Sequence, residues 1–245
     1  MENALLIGLS RQTALRNQLN VVANNLANMN TNGYKTQRLL FEEYLMPVAE
    51  ARQFERGDQE FSYVVDYGMA SDFEPGSISL TGNAFDVALE GSGYLVVDTP
   101  GGERYTRDGA LHLDSTGQLV TPEGYPVQGE GGPLSFSAED TDISIAKDGT
   151  ISSSLGVKGQ LRVVGFENQQ ALERIGGNLF VGENPIPAEN VRVLQGAIEK
   201  SNVSGVTEVS RMIEITRNYT AVSKMISDNE ELRKKAIERL GSAQA

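Results

Sequence analysis

The feature that most constrains this chain is a narrow apolar stripe near its amino-terminal end. From residue 15 the apolar side chains are spaced 4-3-4-3, the spacing of the a and d positions of a heptad. They are Leu15, Leu19, Val22, Leu26 and Met29. Leu5 continues the stripe upstream, although Gly8 and Gln12 interrupt it, and no proline occurs before Pro47. The spacing predicts a helix over residues 3 to 29, about 40 Å long.

A second stripe of the same kind lies near the carboxyl-terminal end, where the spacing is 3-4-3-4. Its members are Met212, Ile215, Tyr219, Val222 and Ile226, with Val209, Ile213 and Leu232 nearby. Asn202 or Ser204 can supply an N-cap oxygen. We expect a helix from about residue 204 to 240, roughly 55 Å long.

The narrow width of these apolar stripes indicates what they pack against. A single heptad stripe is too narrow for a globular core and suits pairing with another helix. A helical hairpin packed on its own domain is the alternative, because such stripes are often core. We expect few apolar residues elsewhere on these helices, and this favours packing between subunits.

The centre of the chain has a different composition. Residues 36 to 197 hold 22 of the 26 glycines. Their net charge is −15, whereas that of the whole chain is −12, because both ends are slightly positive. Short β-branched or aromatic runs alternate with turn signals every eight to twelve residues, for example Thr99-Pro-Gly-Gly102. This pattern predicts an antiparallel β domain.

The predicted fold class is therefore α+β, with long terminal helices forming a coiled-coil domain around an inserted antiparallel all-β domain. We expect the amino-terminal helix within residues 1–32 and an extended connector over 33–75, which carries few turn signals. The β domain is expected over 76–185, a return connector over 186–202 and the carboxyl-terminal helix within 203–245.

Composition and charge exclude several classes of function. With no cysteine the chain has neither disulfides nor thiolate metal sites, and a single histidine, His112, argues against most metal and Ser-His-Asp chemistry. The net charge of −12 argues against nucleic acid and against anionic membranes. No apolar run approaches a membrane span, and the acidic start does not resemble a signal peptide. We expect no cofactor and no metal.

Candidate chemical motifs are weak. Gly91-Ser-Gly93 precedes a strand pattern, so we interpret it as a tight turn. Asp140, Asp142 and Asp148 lack the spacing of a calcium loop and are expected to be solvated, while Arg107 and Asp108 could pair. A hydrolase with paired carboxylates stays open, because separations in space are invisible in a sequence. No catalytic residue stands out.

The most unusual segment is Asn24-Asn-Leu-Ala-Asn28 followed by Met29-Asn-Thr-Asn-Gly-Tyr-Lys35. Asparagine and Gly33 suit a helix C-terminus, because both tolerate positive φ. A helix stop does not explain Asn24 and Asn25, which lie a turn or more before the end. Their carboxamides are expected to bond to a neighbouring helix.

This segment closely resembles the signature of the flagellar axial proteins, the rod and hook family. The segments Gly82–Tyr94, Tyr105–Gly109 with Gly117–Val120, and Glu199–Val203 with Met212 to Tyr219 are similar to further blocks of that family, in the same order. The modest length and single central domain resemble a proximal-rod protein, with a distal-rod protein of the family as the alternative. An adhesin with coiled-coil ends is a further alternative.

The resemblance implies a structural subunit of the periplasmic rod, exported unfolded through the flagellar type III apparatus without a cleaved signal. Its implied partners are other proximal- and distal-rod proteins, further copies of itself and the export apparatus. We expect the two terminal helices to pair antiparallel and to pack with helices of neighbouring subunits into an inner tube, with the acidic β domain outward. The expected subunit-interface residues are Leu5, Leu9, Leu15, Leu19, Val22, Asn24, Asn25, Leu26, Asn28, Thr31, Gly33, Tyr34, Lys35, Ser201, Asn202, Val203, Val209, Met212, Ile215, Tyr219, Val222 and Ile226.

Overall fold

The computed structural model describes residues 2–45 and 62–242, and in 2–5, 41–45, 62–67 and 241–242 it describes the backbone alone. The chain divides into two compact units. Unit 1 comprises residues 1–27, 37–70 and 204–245, and unit 2 comprises residues 28–36 and 71–203. The α+β class with mainly antiparallel strands is confirmed.

Unit 1 contains both terminal helices. Helix α1 spans Glu2–Ala27 and helix α2 spans Gly205–Ser242, close to the ranges predicted from the two stripes. Strands β1 (Gln37–Leu45) and β2 (Ser62–Ser71) form a two-stranded sheet. Within the described ranges, neither helix combines the length and apolarity that a membrane span requires.

Unit 2 is built from short strands. In chain order they are β3 (Ile78–Leu80), β4 (Val87–Glu90), β5 (Tyr94–Thr99), β6 (Gly102–Thr106), β7 (His112–Leu113), β8 (Leu119–Val120), β9 (Gln128–Gly129), β10 (Gly132–Pro133), β11 (Ser144–Ile145), β12 (Thr150–Ser153), β13 (Gly156–Gln160), β14 (Val163–Gly165), β15 (Glu173–Gly176), β16 (Leu179–Val181), β17 (Ile186–Pro187), β18 (Arg192–Gln195) and β19 (Ala197–Glu199). A 3₁₀ turn, Gln169–Ala171, precedes β15. The largest sheet has the order β15-β16-β6-β5-β14-β17.

The β5–β6 hairpin confirms the predicted turn, because Thr99 pairs with Gly102 and leaves Pro100-Gly101 as the two-residue loop. Alternate side chains of β5 supply the two buried clusters of unit 2. Leu95 and Val97 lie in the larger cluster, while Tyr94 and Val96 lie in the smaller one with Phe180. Burial of both faces explains why this strand is continuously apolar in the sequence.

Both segments expected to be connectors contain strands. Strands β1 and β2 fall within residues 33–75, and β17, β18 and β19 fall within 186–202. Strand β18 pairs with β4, and β19 pairs with β3. The paired strands are about a hundred positions apart along the chain, so no local turn signal predicts their pairing.

Candidate functional site

The two stripes that the sequence predicts meet each other within unit 1. Leu15, Val22, Ile215 and Val222 are buried in one cluster, and four further apolar side chains pack against it. Those four are Leu19, Met212, Tyr219 and Ile226. We call these eight residues the helix seam. The apolar stripes of the two helices therefore pack against each other within one chain.

The two helices run in opposite directions along the seam. Asn25, near the end of α1, bonds to Glu208 near the start of α2, while Gln12 Nε2 donates to Ser223 Oγ at 2.9 Å. A Cβ placed on Gly8 would lie 3.2 Å from Ile226 Cγ1. Glycine at this position thus lets the helices approach closely, which accounts for the interruption that the sequence shows in the stripe.

Apolar side chains also lie outside the seam, so the expectation that the helices carry few such residues is wrong. The exposed ones on the two helices are Leu6, Ile7, Leu9, Val206, Val209, Ile213, Met225, Leu232, Ile237 and Leu240. Leu9 and Val209 were expected at a subunit interface and remain uncovered in the chain. Leu26 is half-buried, and the side chain of Leu5 lies outside the described part.

Asn25 is fully buried and joins three elements of unit 1. Its Nδ2 donates to Gln37 O at 2.9 Å and to Glu208 Oε2 at 3.2 Å, and its Oδ1 accepts from Gln37 N at 3.0 Å. Arg211 donates to the other Glu208 oxygen at 2.7 Å. The carboxamide therefore satisfies both backbone groups at the start of β1. Its expected bond to a neighbouring helix is made within the chain, whereas Asn24 is exposed.

The other half of the asparagine segment belongs to unit 2, where its last residues are buried against the end of β19. Lys35 Nζ lies 2.7 Å from Glu199 Oε1 and donates to Glu74 O at 2.8 Å. Arg107 Nη1 lies 3.2 Å from Glu199 Oε2. All three charged side chains are at most 4% exposed. Burial is the main cause that lowers the pKa of Lys35, and the adjacent Glu199 carboxylate opposes it.

Arg107 does not pair with Asp108, contrary to the sequence-based suggestion. Its guanidinium donates to the carbonyls of Leu89 and Gly91 as well as to Glu199. Asp108 accepts from Ala110 N at 3.0 Å instead. Both residues follow the end of β6, and these neighbours in sequence have different partners in the fold.

Asn202 connects three segments of unit 2. Its Oδ1 accepts from Thr36 N at 2.8 Å and Thr36 Oγ1 at 2.7 Å, and its Nδ2 donates to Asp72 O at 2.8 Å and Glu74 O at 3.0 Å. Asp72 N donates to Thr36 O at 2.8 Å. Residues 36, 72 and 202 thus meet where the chain enters or leaves unit 2. We call these contacts, together with those of Lys35 and Glu199, the junction.

Gly33 and Tyr34 fix the shape of the chain at the junction. Gly33 has φ of +65°, and a Cβ there would lie 2.5 Å from the Arg107 carbonyl group. Tyr34 is fully buried, with the Arg174 guanidinium 3.9 Å from its ring centroid. Thr31 Oγ1 donates to Asn28 Oδ1 at 3.1 Å. Only glycine fits this backbone conformation and this close approach together.

Two predicted site residues, Ser201 and Val203, lie next to the junction in the sequence. The structure also bears on what was expected of His112 and Asp140. Ser201 Oγ accepts from Val203 N at 3.2 Å, and Val203 is half-buried. His112 is exposed on β7, as expected. Asp140 is not a free loop carboxylate, because Lys158 Nζ lies 2.6 Å away and Ser137 N donates to it at 2.7 Å.

The sequence did not identify Arg107, Glu208, Arg174 or Asn178 as partners of the asparagine segment. Arg107 and Glu199 each lie inside a block quoted for its resemblance to the rod and hook family, so a signal for them existed. Neither Glu208 nor Arg174 lies at a periodic or motif position that would have singled it out. Charge pairing across such long separations is visible only in the folded chain.

Comparison with known proteins identifies the family of the chain. Three family descriptions match in chain order: "Flagella basal body rod protein" over residues 5–35, "Flagellar hook protein FlgE/F/G D1 domain" over 88–153 and "Flagellar basal body rod FlgEFG protein C-terminal" over 194–239. The flagellar basal-body rod protein FlgF of Caulobacter vibrioides is 37% identical, covering 98% of this chain and 99% of its own. The chain belongs to the flagellar basal-body rod protein family.

Further relatives in this family support the same assignment. FlgF of Rhizobium meliloti is 33% identical over 99% of this chain and 100% of its own length. FlgG of Buchnera aphidicola from Acyrthosiphon pisum is 34% identical, covering 89% of this chain and 92% of its own. The resemblance predicted from the sequence motifs is confirmed. As a member of this family the chain is a structural subunit of the rod and not an enzyme, and the hydrolase alternative has no support.

Proposed function

We propose that this rod subunit polymerises through its terminal helices into the shaft that transmits torque. On this proposal the two terminal helices, which meet at the helix seam, form a coiled-coil domain of residues 1–32 and 203–245. The antiparallel β domain is inserted between them over residues 76–185, with 33–75 and 186–202 as the linking segments. The neighbours are copies of this chain and other proximal- and distal-rod proteins.

The observation that carries the proposal is the unequal length of the two helices. Helix α1 has 26 residues and α2 has 38. Because Gly8 packs on Ile226 and the helices are antiparallel, Glu2 lies opposite about residue 232. The last turns of α2 therefore extend beyond α1.

The apolar stripe continues along this extension. Ile237 follows Ile226 by about three turns and Leu240 follows Val222 by about five, so both lie in line with the helix seam. They are 68% and 71% exposed. A stripe that is buried along one part and exposed along the rest of the same helix fits a helix from a neighbouring subunit.

Contacts of this kind are heterologous. The end of α2 on one subunit and a different surface on the next would generate an open helical assembly and not a closed ring. An open helical assembly extends into a rod, which agrees with the naming of the relatives as rod proteins. The subunit would reach the periplasm through the flagellar export apparatus without a cleaved signal peptide.

The double variant Ile237→Glu/Leu240→Glu tests the proposal. Both side chains are exposed in the single chain, so the purified variant should keep its helical circular dichroism and its melting temperature. Cells that carry it should lose rod assembly and swimming. Lys234→Glu, which changes the net charge by the same two units at an exposed polar position, is the control and should still swim. Normal swimming by the double variant would contradict polymerisation through this stripe.

A further inference from the structure

Asn32–Gly33 is the one Asn-Gly step in the sequence. In such a step the backbone nitrogen of glycine can attack the side-chain amide carbon of asparagine. A C–N bond forms to close a five-membered succinimide, the C–NH₂ bond breaks, and ammonia leaves. Water then opens the ring to aspartate or isoaspartate. Glycine favours the reaction because it has no side chain to hinder the attacking nitrogen.

The native structure holds this nitrogen away from the reaction. Gly33 N donates to Glu199 O at 2.7 Å, so its hydrogen is already bonded. The carbonyl of Asn32 accepts from Asn178 Nδ2 at 2.6 Å. The Gly33 backbone also packs against the backbone of Arg107. Rotation of this peptide into a ring-closing geometry would break all of these contacts.

The protecting contacts come from the far end of the chain. The acceptor of Gly33 N is the carbonyl of Glu199, whose carboxylate binds Lys35, and Asn202 binds Thr36. We propose that Asn32 is a deamidation site that the junction closes, and that it becomes reactive whenever residues 199–202 separate from residues 31–36. This inference concerns the single chain and does not rest on the proposed polymerisation.

Deamidation would make the loss of the junction permanent. Isoaspartate adds one carbon to the main chain between Thr31 and Gly33, and either product adds a negative charge. With isoaspartate at position 32, Gly33 N could no longer meet Glu199 O while its Cα lies against Arg107. A chain that waits unfolded before it is incorporated would therefore lose its ability to form unit 2.

The test compares the full chain in native buffer with the same chain in concentrated urea, both at mildly alkaline pH. Mass spectrometry of the peptide that contains Asn32, together with enzymatic methylation of isoaspartate, measures the rate of conversion. We expect the native rate to be lower by at least about a hundredfold, because only the opened fraction reacts. Asn32→Gln should remove the signal in urea, since the six-membered ring closes much more slowly.

Two variants test the role of the junction in native buffer. Asn202→Ala should raise the native rate about tenfold, because it removes the bonds that hold Thr36. Asn168→Ala, which removes the cap of the 3₁₀ turn elsewhere in unit 2, should leave the rate unchanged. Should Asn202→Ala not fold, Thr36→Val, which loses the hydroxyl alone, replaces it. Equal rates in native buffer and urea, or no increase in the junction variants, would overturn the proposal.

Discussion

Lys35 and Glu199 form a buried ion pair between residues that are 164 positions apart in the chain. Glu199 accepts from Gly76 N on the same oxygen that binds Lys35, and its other oxygen binds Arg107. One carboxylate thus pairs with two buried cationic side chains. Because its partners come from three separate segments, this side chain depends on the complete fold of unit 2.

Replacing Glu199 by glutamine should be strongly destabilising. The amide keeps the shape of the side chain but leaves Lys35 and Arg107 buried without an anion, and removing one partner of such a network costs about 3 to 5 kcal/mol. Urea unfolding of the purified chain measures the loss. Glu103→Gln is the control, because Glu103 pairs with Arg162 at 2.7 Å on a half-exposed surface and should change stability by about 1 kcal/mol or less. Equal losses in the two variants would contradict the role of Glu199.

Asn25→Ala should weaken unit 1 in the free chain. The change leaves Gln37 N and Gln37 O without the partner that they have in the native fold, which costs about 1 to 3 kcal/mol. Hydrogen exchange at the Gln37 amide should speed up, and the helical signal should melt at lower temperature. Asn20→Ala, an exposed position on the same helix, should not have this effect. If both variants exchange at the parental rate, the carboxamide is merely part of a helix cap.

Asp108 makes stability depend on pH. Burial is the main cause that raises its pKa from 3.8 to about 6, and the nearby carboxylates of Asp86 and Glu123 add to the effect. Between pH 3.8 and about 6, therefore, the folded chain holds a proton on Asp108 that the unfolded chain has already released. Its contribution to stability is complete below pH 3.8 and is lost as the pH rises through 6, a difference of about 3 kcal/mol at most.

Asp108→Asn removes this dependence, because the amide oxygen can still accept from Ala110 N. The variant should be more stable than the parent at pH 7, and its advantage should vanish near pH 3.5. Thermal melting at several pH values measures both. If the difference in stability between the variant and the parent were the same at every pH, Asp108 would be shown to ionise normally in the fold.

The helices and the β hairpin could be predicted because their causes are local. Spacing of Leu15, Leu19 and Val22 specifies one helix face, and Thr99-Pro-Gly-Gly102 specifies a turn. The pairing of β18 with β4 and of β19 with β3 could not, since hydrogen bonds between distant strands leave no mark in either segment.

The residues of the candidate site also differ in whether the sequence could predict them. The positive φ of Gly33 could be predicted, because glycine adopts it most readily at a helix end, whereas its close approach to Arg107 could not. Arg107 lies in a segment that resembles the family, but its pairing with Glu199 could not be predicted, because a buried charge and a solvated one have the same letter in the sequence. The stripes alone left open whether they pack against each other within one chain or against a neighbouring subunit, since a heptad pattern specifies a helical partner but not which chain supplies it.

Leu19→Asp should disrupt the helix seam of unit 1 and leave the β strands of unit 2 folded. Leu19 packs against Leu15, Val22 and their partners on α2, so a carboxylate there would be partly desolvated without a compensating bond. We expect faster hydrogen exchange over residues 6–27, unchanged protection of strands β5 and β6, and loss of rod assembly and swimming. Asn20→Asp places the same charge on the next residue, which is exposed, and should swim normally. Swimming by cells with Leu19→Asp would show that the rod does not need the seam.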